Sequence, residues 1–160
     1  MATSTILAAL FALSGAVTTG GAAGEAKPKE APEHQVVAIY FHRTVRCPTC
    51  KRIGAMSEDA VTTGFKKETK ARTVEFHFVD FQDKKNAKLA KACGVDSPVL
   101  VLLNVYQGET VCWTSLPKVW QLVGKPEEFR TYVHEAVVRF LKQTKKDAER
   151  ERENSKESKE

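Results

Sequence analysis

After its N-terminal segment the chain has no long hydrophobic run. No later apolar stretch reaches the roughly 18 residues of a membrane-spanning helix, which excludes a polytopic membrane protein. It also lacks internal repeats, so a solenoid is excluded. No dense basic cluster is present: 25 Lys and Arg are mixed with 20 Asp and Glu, for a net charge of +5. No segment interleaves aromatics with cations as a single-strand binder would, so the charge is read as solubility and nucleic acid is not an expected partner. Flavin and nicotinamide motifs are missing, and no cofactor is expected. Cysteine is scarce, at 4 in 160 residues, and there is only one closely spaced pair. With 42% hydrophobic and 28% charged residues, the chain can bury one core without disulfide staples.

Four stretches divide the chain. Residues 1–26 read as a signal peptide or N-terminal anchor: Thr5 to Val17 is an apolar stretch of 13, followed by the small residues Gly20 to Gly24. The segment before it, Met1 to Ser4, carries no Lys or Arg, which keeps the uncleaved anchor open as an alternative. The expected location is periplasmic or secreted. Residues 27–34, with Pro28 and Pro32, form a linker, and residues 35–142 form the single folded domain. From Lys145 onward six basic and six acidic residues leave almost nothing apolar, so residues 143–160 are expected to be a charged tail with no reason to pack, frayed helix or disordered.

Within the domain, Val36 to Phe41 is a short apolar run that suits a strand buried on both faces. Ile53, Met56, Ala60, Val61, Gly64 and Phe65 then recur at helical spacing, with Pro48 tolerated in the first turn. Val74, Phe76 and Phe78 alternate with Glu75 and His77 as a second strand, and Asp83 to Cys93 reads as a short helix ended by Gly94. Pro98 to Tyr106 and Glu109 to Leu116, separated by Gln107 and Gly108, form a hairpin. A last helix opens at Pro126 and presents Phe129, Tyr132, Val133, Ala136, Val137, Phe140 and Leu141 on one face. The order β-α-β-α-β-β-α predicts an α/β domain, a four-stranded mixed sheet flanked by helices.

Cys47-Pro48-Thr49-Cys50 falls between the first strand and the first helix, which puts both sulfurs at a helix N-terminus. Unpaired N–H groups and the helix dipole stabilise a thiolate there, and Arg46 is expected to add a positive charge. The spacing permits a small disulfide ring across one helical turn. A zinc site would need about four ligands, whereas Cys93 and Cys112 are far apart in sequence and have no adjacent His; no metal is expected. Covalent haem would need His at position 51, which is Lys. Cys47 and Cys50 are therefore the candidate catalytic pair, with a purely structural disulfide as the rival reading.

Cys47-Pro48-Thr49-Cys50 after strand one, Asp80 closing strand two, and Gly94-Val95-Asp96-Ser97-Pro98-Val99-Leu100 together resemble the thioredoxin-like superfamily over residues 35–142. More closely, Tyr40-Phe41-His42-Arg43-Thr44-Val45-Arg46-Cys47-Pro48-Thr49-Cys50-Lys51 is similar to the Tyr-Phe-His-x-Thr-x-Arg-Cys-Pro-Thr-Cys-Lys segment of small exported proteins named the nitrophenyl compound nitroreductase subunit, or ArsF, family. The resemblance implies an exported thiol–disulfide oxidoreductase acting on a protein disulfide or dithiol, with a membrane-associated redox protein among the candidate partners. It implies that Pro98 follows a cis bond and packs against the dithiol, although the preceding loop is one residue shorter. Pro98, Arg46 and His42 are the expected partner-binding residues. The Trp usual before the first Cys is Arg46 here, and the buried acid of strand one falls at Tyr40, so the proton route from the second thiol is unassigned. A non-enzymatic accessory subunit of a reductase system, with a structural or metal-capturing dithiol, is the alternative function.

The other candidates have two readings each. His42 is a proton shuttle or a loop histidine, and His77 and His134 are expected on outer faces. Cys93 and Cys112 either pair or, as preferred, pack as small buried hydrophobes. Trp113 and Trp120 are a docking patch or, as preferred, core and rim packing.

Overall fold

The computed structural model describes residues 32–157; the N-terminal signal or anchor segment lies outside the described residues. Its elements are β1 (His34–His42), α1 (Pro48–Gly64), α2 (Lys66–Ala71), β2 (Val74–Asp80), α3 (Ala87–Ala92), β3 (Val99–Tyr106), β4 (Glu109–Ser115), α4 (Pro126–Lys142) and α5 (Lys145–Glu157). Short 3-10 turns at Lys84–Asn86 and Pro117–Trp120 lead into α3 and out of β4. The sheet runs β2-β1-β3-β4, with β1 parallel to β2 and antiparallel to β3, and β3 antiparallel to β4. The protein is thus an α/β domain built on an open, mixed, four-stranded sheet flanked by helices.

β1 lies inside the sheet, and its alternation distributes two cores. Val36, Ala38 and Tyr40 face one side, where they meet Ile53 and Val61 of α1 and Phe129, Val133, Val137 and Phe140 of α4. Ile39 and Phe41 face the other, against Val101 and Leu103 of β3 and Ala90 of α3. A strand covered on both faces needs apolar residues at successive positions, which is why Val36 to Phe41 carries no charge. At the β3–β4 turn, Gln107 and Gly108 have φ of 51° and 80°. Two consecutive positive values match the right-handed twist of the strands they join. Cys93 and Cys112 are buried, free and divided between the two cores, so they pack rather than pair.

The C-terminal segment departs from expectation. Instead of an unpacked tail, frayed helix or disordered, α5 is a helix that lies against β4, with Ala148 fully buried in the α1–α4 core. Polar anchors account for the packing that composition hid. Asn104, buried in β3, donates to the carbonyl of Phe140 at 3.3 Å and to Oε1 of Gln143 at 2.7 Å, and it accepts from His34 at 2.6 Å. Arg139 pairs with Glu151 at 3.1 Å across the α4–α5 corner. Folded structure therefore extends past residue 142.

Candidate functional site

Cys47 is delivered by the loop that leaves β1 at His42 and caps α1. Its backbone is extended (φ −69°, ψ 161°), Pro48 follows in the first turn with no N–H to leave unpaired, and the Cys47 carbonyl accepts from Lys51 N at 3.0 Å. The Cys47 sulfur takes the place of a capping oxygen, accepting from Cys50 N at 3.2 Å. The two Sγ atoms stand 2.7 Å apart. Cys47 is exposed and Cys50 is buried.

These positions make the thiols unequal. The Cys50 thiol donating to Cys47 is the foremost cause holding the Cys47 pKa below the ordinary thiol range, and the Cys50 N–H adds to it. Burial, and then the same hydrogen bond, push Cys50 up. Cys47 is therefore the more acidic of the two thiols and Cys50 the one that holds its proton more tightly.

The loop is pinned from below. Thr44 donates through its hydroxyl to Asp80 at 2.7 Å, and its N–H donates to Gln82 at 3.1 Å. The Thr44 hydroxyl, followed by the Gln82 N–H, keeps Asp80 below the usual carboxylate range. This anchoring role for Thr44 was not legible from the motif, although the presence of Asp80 at the end of β2 was.

Arg46 does not face Cys47 as expected. Its guanidinium carbon lies 5.0 Å from the Phe78 ring centre and 5.8 Å from that of Tyr40. Its Nη2 stands 2.5 Å from where a Cβ on Gly54 would be. Two aromatic faces and the notch left by glycine draw the cation under α1. The Cys47 thiolate is favoured by hydrogen bonds, not by the positive charge expected from Arg46.

Pro98 also differs. Every peptide bond among the described residues is trans, the bond before Pro98 included, so the expected cis bond is not present. An X–Pro bond favours trans by about 0.5–1 kcal/mol unless its surroundings select otherwise. Here the Pro98 carbonyl accepts from the Trp120 indole at 2.9 Å as the chain enters β3. Because Phe41 pairs with Val99, Pro98 lies at the end of the sheet from which β1 delivers Cys47. Trp120 (38% exposed) and Val45 (86% exposed) add apolar surface at that end.

His42 turns its Nδ1 to the Arg43 carbonyl at 2.9 Å and leans on Phe78, 6.2 Å between ring centres. It is not among the groups that perturb either thiol. His77 is exposed and pairs with Glu75 at 3.2 Å, and His134 is exposed and stacked on Phe65 at 4.7 Å, both as expected. Among the described residues, no three His, Cys, Asp or Glu side chains gather as a ligand set for a metal ion.

Tyr40 and Gly54 are the site residues that sequence reasoning left without a role. Tyr40 is fully buried, and its hydroxyl has no hydrogen-bond partner. Gly54 lies one turn beyond Cys50 on the buried face of α1, and a Cβ there would meet Phe78 at 2.8 Å and Tyr40 at 3.1 Å. A glycine in the middle of a long helix was the available signal, since it costs helix stability and needs a close neighbour to explain it. No family profile matches the chain, and no curated protein matches it in sequence.

Proposed function

We propose that the protein is an exported thiol–disulfide oxidoreductase with a thioredoxin-like fold, akin to the ArsF family, that works in the periplasm or outside the cell on a protein disulfide or dithiol. The observation that carries this reading is the asymmetry of the pair: an exposed, acidified Cys47 at the start of α1 beside a buried Cys50 that keeps its proton.

In the reducing direction the Cys47 thiolate attacks one sulfur of the partner disulfide and expels the other as a thiolate. A Cys47–partner mixed disulfide results. Cys50 then loses its proton and attacks Cys47 Sγ, which closes the Cys47–Cys50 disulfide and releases the second partner thiol. Two electrons pass from the protein to the partner, and the reverse sequence donates the disulfide. Val45, Pro98 and Trp120 offer apolar surface for a chain that bears the disulfide.

Cys50→Ser tests this directly. In the exported compartment it should accumulate covalent, reductant-sensitive complexes, while Cys47→Ser accumulates none. Titration of the pair against glutathione should give a reversible two-electron couple within the range of cellular dithiols. A couple too stable to reduce would establish a structural disulfide, and tight zinc uptake by the reduced pair would favour metal capture.

A further inference from the structure

Tyr40 occupies a place that phenylalanine would fill with the same ring and no orphaned oxygen. Its position in β1 turns it toward α1, and its neighbours across the sheet, Phe78 on β2 and Leu100 on β3, provide no acceptor. The hydroxyl is buried without a partner. Arg46, stacked on the same ring, likewise buries an unpartnered Nε. Both groups donate, and neither arginine nor a protonated phenol is left looking for a proton. Leaving buried donors idle is costly, so their retention beside a reactive pair needs a use.

One anion must form on the face of α1 that packs on this ring: Cys50 lies one turn before Gly54 on the buried side of α1, and the Tyr40 ring stands 3.1 Å from where a Cβ on Gly54 would be. While Cys47 is free, the Cys50 proton is engaged by the Cys47 sulfur. Once Cys47 is tied up in a mixed disulfide, that acceptor is gone, and Cys50 must ionise in a buried setting to attack. We infer that the Tyr40 hydroxyl, with Arg46 behind its ring, is the donor that stabilises the Cys50 thiolate during resolution of the mixed disulfide. This rests on the oxidoreductase reading above.

The phenol keeps its own proton throughout, since burial, followed by the charge on Cys50, pushes it up to about 12. The proton leaving Cys50 goes to water. The charged or ionisable groups acting on the phenol are Cys50 from α1 and Cys47 and Arg46 from the loop before it; the residues paired with Tyr40, Phe78 on β2 and Leu100 on β3, are apolar, and His42 and Asp80 are the next titratable groups along the same face of β1 and β2. Tyr40 is therefore a stabiliser of one anion, unlike a buried carboxylate, which would take the proton itself.

Stopped-flow oxidation of the reduced protein by dithiodipyridine separates the two steps. Cys47 releases one thiopyridone in a phase that depends on reagent concentration, and Cys50 releases the second in a phase that does not. Tyr40→Phe should slow the second phase roughly tenfold to a hundredfold near neutral pH and move its pH profile upward by about one to two units. The first phase should change by less than about threefold. In a Cys47→Ser background, the ultraviolet thiolate absorbance of Cys50 should titrate higher after Tyr40→Phe by a similar interval. A second phase unchanged in rate and pH profile would overturn the inference, as would a Tyr40→Phe protein that fails to fold, because the hydroxyl would then have a structural partner. Absence of the second phase in the unsubstituted protein would instead overturn the oxidoreductase reading.

Discussion

Alkylation of the reduced protein at about pH 6 reads the electrostatics of all four thiols at once. Burial pushes Cys93 and Cys112 up to about 11. Against an ordinary thiol near 8.5, that is roughly a 300-fold loss of thiolate. A more basic thiolate is a better nucleophile, with a sensitivity near 0.5 per unit, which returns a factor of about ten to twenty. Ionisation alone therefore leaves these two at least tenfold slower than an ordinary thiol, before counting the opening of the core that a reagent needs. Cys47 errs the other way: it is exposed and acidified by its hydrogen bonds. Cys50 is both buried and raised. Iodoacetamide followed by peptide mass spectrometry should thus place Cys47 ahead of the other three by about two orders of magnitude. If Cys50 were modified first, or Cys93 and Cys112 kept pace with Cys47, the assignment of nucleophile and proton holder would be wrong.

Three further outcomes are expected. Gly54→Ala gains about 1 kcal/mol of helix propensity but overpacks against Phe78 and the buried Tyr40, at about 1–3 kcal/mol, so denaturant melts should show a net loss near 1 kcal/mol; a net gain would show that Arg46 and the rings are loosely held. Stability should fall as pH rises from about 8.5 toward 11, because the folded state keeps the Cys93 and Cys112 protons that the unfolded chain releases, by at most about 1.4 kcal/mol per pH unit for each. The double variant Cys93→Ala Cys112→Ala should flatten that decline, and parallel curves would contradict the burial argument. Ala148→Asp places a charge in the core under α5 and should release that helix, seen as faster amide exchange in α5 and β4 with β1 still protected; unchanged exchange would mean α5 does not depend on this contact.

Periodicity made the sheet and the main helices legible. Val36 to Phe41 carries a two-sided burial pattern, and the spacing of Ile53, Ala60 and Val61 carries a one-sided one, so β1 and α1 lie where the pattern puts them. The strand-to-helix position of Cys47 and Cys50 was equally readable, because it depends on local order alone. α5 was not, since a single alanine and a set of polar contacts from Asn104 and Arg139 hold it, and hydropathy counts none of these. The direction of Arg46 was hidden for a related reason: proximity in sequence to Cys47 suggested proximity of charge, while a glycine eight residues later supplies the room that turns the side chain away. The trans bond before Pro98 marks where a likeness in order does not extend to a likeness in backbone.

β1 also has a direction. It begins at His34, where the chain arrives from residues 1–31, and ends at His42, a short loop from Cys47. Nine residues of strand span about 27–30 Å, so the nucleophile and the point of arrival occupy opposite poles of the domain. The reactive sulfur is thus presented at the end of the domain opposite the residue where β1 begins. A bulky fusion placed ahead of His34 should for the same reason leave the attack by Cys47 unobstructed.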